Sequence, residues 1–381
     1  MPPPLSLYIH LPWCVRKCPY CDFNSHTAGS DVPFAAYTGA LLTDISLAAS
    51  LAGNRPLVSV FLGGGTPSLF PPHEISRVLD GVRSEFELAD DVEITLEANP
   101  GTVERGDPAA YRDAGVNRLS IGAQSFDDES LKSLGRIHSP GEIVSAVEAA
   151  HAAGLDNINI DLMYGLPEQD IEAAVADIEA AASLEPAHLS WYQLTLEPST
   201  VFYARPPAGI PGEDALFDIQ QHGQARLAEL GFEQYEISAY SRPGRRCVHN
   251  LNYWSFGDYL AVGAGAHGKI SRSGVVARYT RPANPLGYIK ALENGAAMPE
   301  PKPVGPDDLV FEFMLNALRL SDGVDEVLFE ARTGLEPPRL HRTMADVAAR
   351  GLIAQEGDRR WRPTPLGHRF LNDLQAAFLP E

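Results

Sequence analysis

The chain has 381 residues, 44% of them hydrophobic and 21% charged, a composition that supports a large buried core. Fifty acidic against thirty basic residues give a formal net charge of -20, which repels phosphate backbones and acidic lipid surfaces and argues against a general nucleic-acid binder. No apolar run approaches a membrane span in length, and the start, Met1-Pro2-Pro3-Pro4, has no cationic region before an apolar stretch; a reducing, cytoplasmic setting is therefore expected.

From residue 5 to about 240, short apolar runs alternate with longer segments of helical period, the pattern of parallel βα units. The runs are Leu5 to Leu11, Val58 to Leu62, Val92 to Leu96, Arg118 to Gly122, Asn157 to Leu162 and His188 to Leu194. Helices are expected at Phe34 to Leu51, Pro72 to Phe86, Asp107 to Ala114, Pro140 to Ala153 and Glu168 to Leu184, most with Gly or Pro at their ends. Six units predict an α/β fold built as an incomplete parallel (β/α)6 barrel over residues 1–240. Residues 241–298 read as a connecting segment containing "HNLNYW", and the Pro-rich stretch 299–306 as a linker. Beyond it, helices near Asp307 to Leu320, Val324 to Arg332 and Arg339 to Arg350, a strand pair around Leu352 to Arg362 and a last helix predict a winged-helix-like domain over 307–381. Its 10 basic and 13 acidic residues from position 301 onward disfavour DNA and favour a role as a cap or docking surface.

In parallel barrels, function gathers at the carboxyl ends of the strands. There the polar oddities fall: the cysteine loop after the first run, "GGGTP" (Gly63 to Pro67) after the second, "EANPG" (Glu97 to Gly101) after the third, Gln124 after the fourth and "DLMYGLP" (Asp161 to Pro167) at the fifth. Three of the four cysteines, Cys14, Cys18 and Cys21, lie within eight positions. An odd cluster leaves an unpaired thiol whichever disulfide forms, so metal binding explains it better. Three thiolates suit an iron–sulfur cluster with one open iron, or a zinc knot completed by His26 or Cys247. The glycines of "GGGTP" let backbone N–H groups approach a ligand, Glu97 and Asp161 could accept from ribose hydroxyls or an ammonium, and Arg136 could pair with a carboxylate.

The spacing C-x-x-x-C-x-Y-C after a first strand, with a Gly-rich loop after the second, resembles the radical S-adenosylmethionine superfamily, and most closely its oxygen-independent coproporphyrinogen III oxidase group. That resemblance implies a 4Fe-4S cluster on Cys14, Cys18 and Cys21 whose open iron chelates S-adenosylmethionine. It carries cofactor-site roles onto Tyr8, Tyr20, Gly64, Gly65, Thr66, Glu97, Gln124, Arg136 and Asp161. Two features set the chain apart from the oxidase itself: Phe23 stands where the oxidase carries a further cysteine, and only thirteen residues precede Cys14. "HNLNYW" resembles instead the H-N-x-x-Y-W signature of the heme-chaperone branch, which implies heme binding at His249, Asn250, Tyr253 and Trp254, with His249 as the ligand. The partners so implied are heme and a heme-acceptor protein, membrane-associated acceptors included, with a homodimer allowed. The alternatives weighed are the decarboxylating oxidase and a zinc-stabilised interaction module. The glycine alternation of "GAGAHG" could bring His267 near the cofactor, and is read equally well as a tight turn.

Overall fold

A computed structural model describes residues 2–101 and 107–380. The six expected strands are present at Leu5–Leu11, Leu57–Gly64, Leu88–Ala98, Arg118–Gln124, Ile158–Tyr164 and His188–Gln193, each parallel to the next. They form the centre of a twelve-stranded sheet with the helices packed on its outer face.

Strand periodicity assigns the two faces different chemistry. Leu5, Leu7, Ile9 and Leu11 are fully buried in the same core as Leu41, Ile45 and Ala48 of the helix Phe34–Ala52. Tyr8 and His10, with the opposite parity, line the central cavity. The other strands repeat the division, sending Ile94 and Leu96, Leu119 and Ile121, Ile158 and Ile160 outward into the core. Glu97, Arg118, Ser120, Asn159, Asp161 and Ser190 turn inward. A parallel sheet filled by apolar layers would read as near-continuous hydrophobic runs; here many of the inward positions are polar because they line cavities.

The sheet does not stop at residue 240. Asp258–Val262 lies parallel to the first strand, followed outward by antiparallel His267–Arg272, Val275–Thr280 and Lys302–Pro303. At the other edge Ala239–Ser241 and Glu233–Glu236 add antiparallel strands. Residues 241–298 thus supply part of the barrel sheet itself as well as the helix Val248–Trp254.

The helix Phe34–Ala52 is long and apolar enough to cross a membrane by length and composition. In the fold its apolar side packs on the barrel, and Asp44 within it is fully buried, ion-paired with Arg281 and accepting from the Tyr288 hydroxyl at 2.7 Å. A barrel helix shielded by its neighbours passes the same compositional test as a span.

The C-terminal region contains helices Pro306–Ala317, Glu326–Thr333 and Pro338–Ala349 and a small sheet of Val324–Asp325, Ile353–Glu356 and Arg360–Pro363. The single final helix expected is split into Pro365–Arg369 and Leu371–Ala376 around Phe370, whose φ of -110° and ψ of 44° are not helical. Its core takes in Phe256 and Val276 from the barrel sheet side, so the two regions share apolar packing.

Candidate functional site

The cysteine loop leaves the first strand through Trp13–Cys14, which pairs with His26–Thr27. It is closed by Ala28 N donating to Cys14 O at 2.7 Å and by Lys17 Nζ donating to the carbonyls of Phe23 and Ser25. Cys14, Cys18 and Cys21 are free and half-buried, and all three line a pocket of about 140 Å³ together with Tyr20, Gly65, Thr66, Gln124 and Arg136. Among the described residues, no three His, Cys, Asp or Glu side chains are gathered tightly enough for one metal ion. The proposed fourth zinc ligands are elsewhere. Cys247 is fully buried and donates to Glu93 Oε1 at 3.3 Å, its thiol pushed up to about 12 by burial with Glu93 adding to it; His26 Nε2 lies 3.3 Å from Asn24 Oδ1. Three separated thiols opening on a shared pocket fit a polynuclear cluster, whose irons are apart, better than a single ion.

Arg136 is buried in this pocket. It donates to Cys18 Sγ at 3.5 Å, to Gly122 O at 2.7 Å and to Asn99 Oδ1, while its Nε has no partner. Tyr20 lines the same pocket, its phenol pushed up by burial against the opposing pull of Arg136.

The glycine loop is shaped by close approach. Gly64 has φ +116°, and a Cβ there would sit 2.4 Å from the His10 ring; a Cβ on Gly65 would meet the Pro12 and Trp13 backbone at 2.7 Å. Gly64 N donates to Glu97 Oε2 at 3.0 Å. Burial raises the Glu97 carboxyl to about 7, with Asp161 adding and the Gly64 N–H opposing. Thr66 Oγ1 accepts from Asn99 Nδ2 at 2.9 Å. Asp161, raised by burial, accepts from Asn159 Nδ2 at 2.8 Å and Ser120 Oγ at 3.2 Å. Gln124, at φ 73°, accepts from the Tyr192 hydroxyl at 2.7 Å. The Tyr8 hydroxyl lies 3.0 Å from His10 Nδ1, whose Nε2 is 2.9 Å from Asn24 O.

Glu97, Asp161, Gly64, Ser120 and Phe23 also line a second cavity of about 590 Å³, so the two spaces adjoin across these residues. Its far wall is the helix Val248–Trp254, which brings His249, Asn250, Tyr253 and Trp254 to it. His249 is buried, stacked near Phe61 at 4.8 Å between ring centres, with Nδ1 2.9 Å from Ser59 Oγ. Ser59 donates its one hydrogen to Ser6 Oγ at 2.8 Å, so it accepts from Nδ1–H and leaves Nε2 as the unprotonated nitrogen. Burial, reinforced by Arg118, lowers the imidazole to about 3, which keeps it neutral. Tyr253 packs on Tyr259 at 5.0 Å and edge-on to Trp254 at 4.8 Å; the Trp254 ring also carries the Arg319 guanidinium at 4.4 Å.

The three clustered cysteines, the residues assigned to the cofactor site and the four residues of the "HNLNYW" signature all line one or other of these two adjoining spaces, whereas His26 and Cys247 line neither. The sequence reading missed Ser59, Glu93, Arg118, Ser120, Asn159 and Tyr192. Each lies at an alternate position of its strand, which marks an inward face but not what that face meets.

The family described as the Radical SAM superfamily matches residues 8–179, and that described as the HemN C-terminal domain matches residues 304–370. Heme chaperone HemW of Escherichia coli K12 is 47% identical over 380 residues, covering 100% of this chain and 99% of that protein. Heme chaperone HemW of Haemophilus influenzae is 46% identical over 384 residues, with coverage of 100% and 99%. Among solved structures, the coproporphyrinogen III oxidase HemN of Escherichia coli superposes with a TM-score of 0.82 at 24% identity, covering 99% of this chain and 90% of that one, a likeness of fold. With the cysteine loop, the glycine loop and the partial barrel in place and the relatedness running from end to end, the chain belongs to the HemW family of the radical SAM superfamily.

Proposed function

We propose that this protein is a cytoplasmic heme chaperone that takes heme into the 590 Å³ cavity, holds its iron through His249 and passes it to an acceptor protein. The observation that carries the reading is His249 itself: a neutral imidazole with Nδ1 tied to Ser59 and Nε2 left unprotonated on the wall of that cavity. Iron-binding histidines are oriented in this way, by a hydrogen bond at the nitrogen that does not ligate. Asn250, Tyr253 and Trp254 offer polar and aromatic surface beside it. The relatives named heme chaperones support the same conclusion.

Cys14, Cys18 and Cys21 would hold a 4Fe-4S cluster, with Arg136 donating to the Cys18 sulfur. When bound, the cluster and S-adenosylmethionine supply an open iron and a one-electron centre. Glu97, Gly64, Thr66, Gln124 and Asp161 would position S-adenosylmethionine at the junction of the two cavities, and Tyr8, kept protonated by burial, would donate there. Glu97, Gly64 and Asp161, which line both spaces, would hold the cofactor pair where it could gate the larger cavity. Phe23, 60% exposed and lining both spaces, stands where the resembling oxidases carry a cysteine, which disfavours the decarboxylation reading.

Anaerobic reconstitution with iron and sulfide, then heme titration alongside an assay for vinyl product from coproporphyrinogen, tests the proposal. Stoichiometric heme binding that weakens in His249→Ala, with no product, is expected. Unchanged affinity in His249→Ala removes the ligand assignment. Product without stable heme binding makes the protein an oxidase.

A further inference from the structure

Three histidines line the 590 Å³ cavity: His10, His249 and His267. Their hydrogen bonds sort them. His10 has both ring nitrogens engaged, by the Tyr8 hydroxyl and by Asn24 O. His249 has Nδ1 engaged and Nε2 available. His267 is exposed, and no hydrogen bond among the described residues engages either of its nitrogens. We infer that His267 is a second, exchangeable iron ligand at the open side of the cavity, by which heme is received and released. This rests on the heme-binding reading of the same cavity. A buried, anchored imidazole holds metal tightly, and an exposed, unanchored one forms a weaker bond that an acceptor's ligand can replace. The step is ligand exchange without redox change: an iron bond to an imidazole nitrogen of His267 forms as a bond to water breaks, and the reverse accompanies transfer.

The backbone holds His267 in place. Gly263 and Gly265 take φ of 100° and 77° just before it, and a Cβ on Gly265 would lie 2.2 Å from Asn24 Nδ2. That close approach lets Asn24 donate to Ala264 O at 3.0 Å and to Ala283 O at 2.9 Å. Asn24 is three residues past Cys21, so the cysteine loop and the turn bearing His267 are tied together directly.

Ferric heme titrated into the reconstituted full chain, with absorption and electron paramagnetic resonance as readouts, tests the assignment. Wild type is expected to give a six-coordinate low-spin iron. His267→Ala and His267→Gln should still bind one heme but shift it to high spin, with added imidazole restoring low spin. Both should lose heme to an apoglobin scavenger roughly tenfold faster, the change that about 1.4 kcal/mol of lost ligation produces. Wild-type spectra and loss rates in both His267 variants would overturn the inference. If those variants match wild type while His249→Ala weakens binding, this inference alone fails. If His249→Ala binds as wild type while the His267 variants shift, the primary assignment fails and His267 stands as the ligand.

Discussion

At His249 burial is the main cause of the imidazole's neutrality, with Arg118 acting in the same direction. The sign of the consequence for stability follows from where the proton goes. The unfolded chain protonates this histidine below its ordinary value of about 6.5, whereas the folded chain resists until about 3. The unfolded state therefore binds more protons in that window, and stability is lost as pH falls below about 6.5. By pH 5 the loss attributable to this one residue is about 2 kcal/mol. Urea unfolding of His249→Gln at pH 7.5 and pH 5 should show a shallower decline than wild type; identical slopes would mean that the imidazole is not held neutral. The motif pointed to His249, but nothing in it pointed to Ser59, 190 positions away, which selects the tautomer.

The helix Val248–Trp254 is seven residues long, too short to persist on its own, so its place is set by what receives its first turn. Glu93 accepts from Cys247 Sγ, Val248 N and His249 N, the two amides each at 3.0 Å, and lies 3.9 Å from Arg118 Nε. Ser6 pairs in register with Ser59, and Ser59 with Glu93, so three adjacent strands present one polar layer to this helix. Asn252 completes the seat by donating to Ser6 Oγ at 2.8 Å and Asp258 O at 2.9 Å. Glu93→Ala removes the carboxylate 3.9 Å from buried Arg118, leaving Asp161 as its acidic neighbour, and leaves the helix start unsatisfied; it is expected to cost about 3 kcal/mol. Glu93→Gln should cost less but still weaken heme affinity by misplacing His249. Equal stability of wild type and Glu93→Ala in equilibrium unfolding would show that the layer does not hold the helix. The strand containing Glu93 was expected from Val92 to Leu96, yet its role as a seat was illegible because its partners come from residues 247–249.

The C-terminal region closes over the edge of the barrel. Ile237 N donates to Arg319 O at 3.1 Å, Ser321 N to Tyr235 O at 3.0 Å, and Arg319 Nε to Glu236 Oε1 at 2.6 Å while its guanidinium covers Trp254. Phe256 packs edge-on against Phe313 at 5.6 Å. A wall of the 590 Å³ cavity is therefore backed by the domain that the sequence reading assigned to capping. A chain ending at residue 304 would expose Phe256 and Val276, each costing about 2 kcal/mol of lost burial, and leave buried Glu236 without Arg319. Calorimetry should show the truncated chain unfolding at lower temperature than the full chain, with aggregation on heating. An unchanged barrel transition would mean that the two regions are energetically independent.

Alternation of apolar and helical-period segments was sufficient for the six parallel strands, because burial against helices imposes a period that survives in a single sequence. The cysteine spacing and the glycine loop were equally legible, since chemistry that depends on a few residues in one loop is written locally. What the linear chain did not contain was the sheet's continuation through 258–280, the sharing of an apolar core across residue 304, and the conversion of alternate strand positions into one cavity wall. Those features depend on contacts between residues tens to hundreds of positions apart, and only packing in three dimensions decides which of them meet.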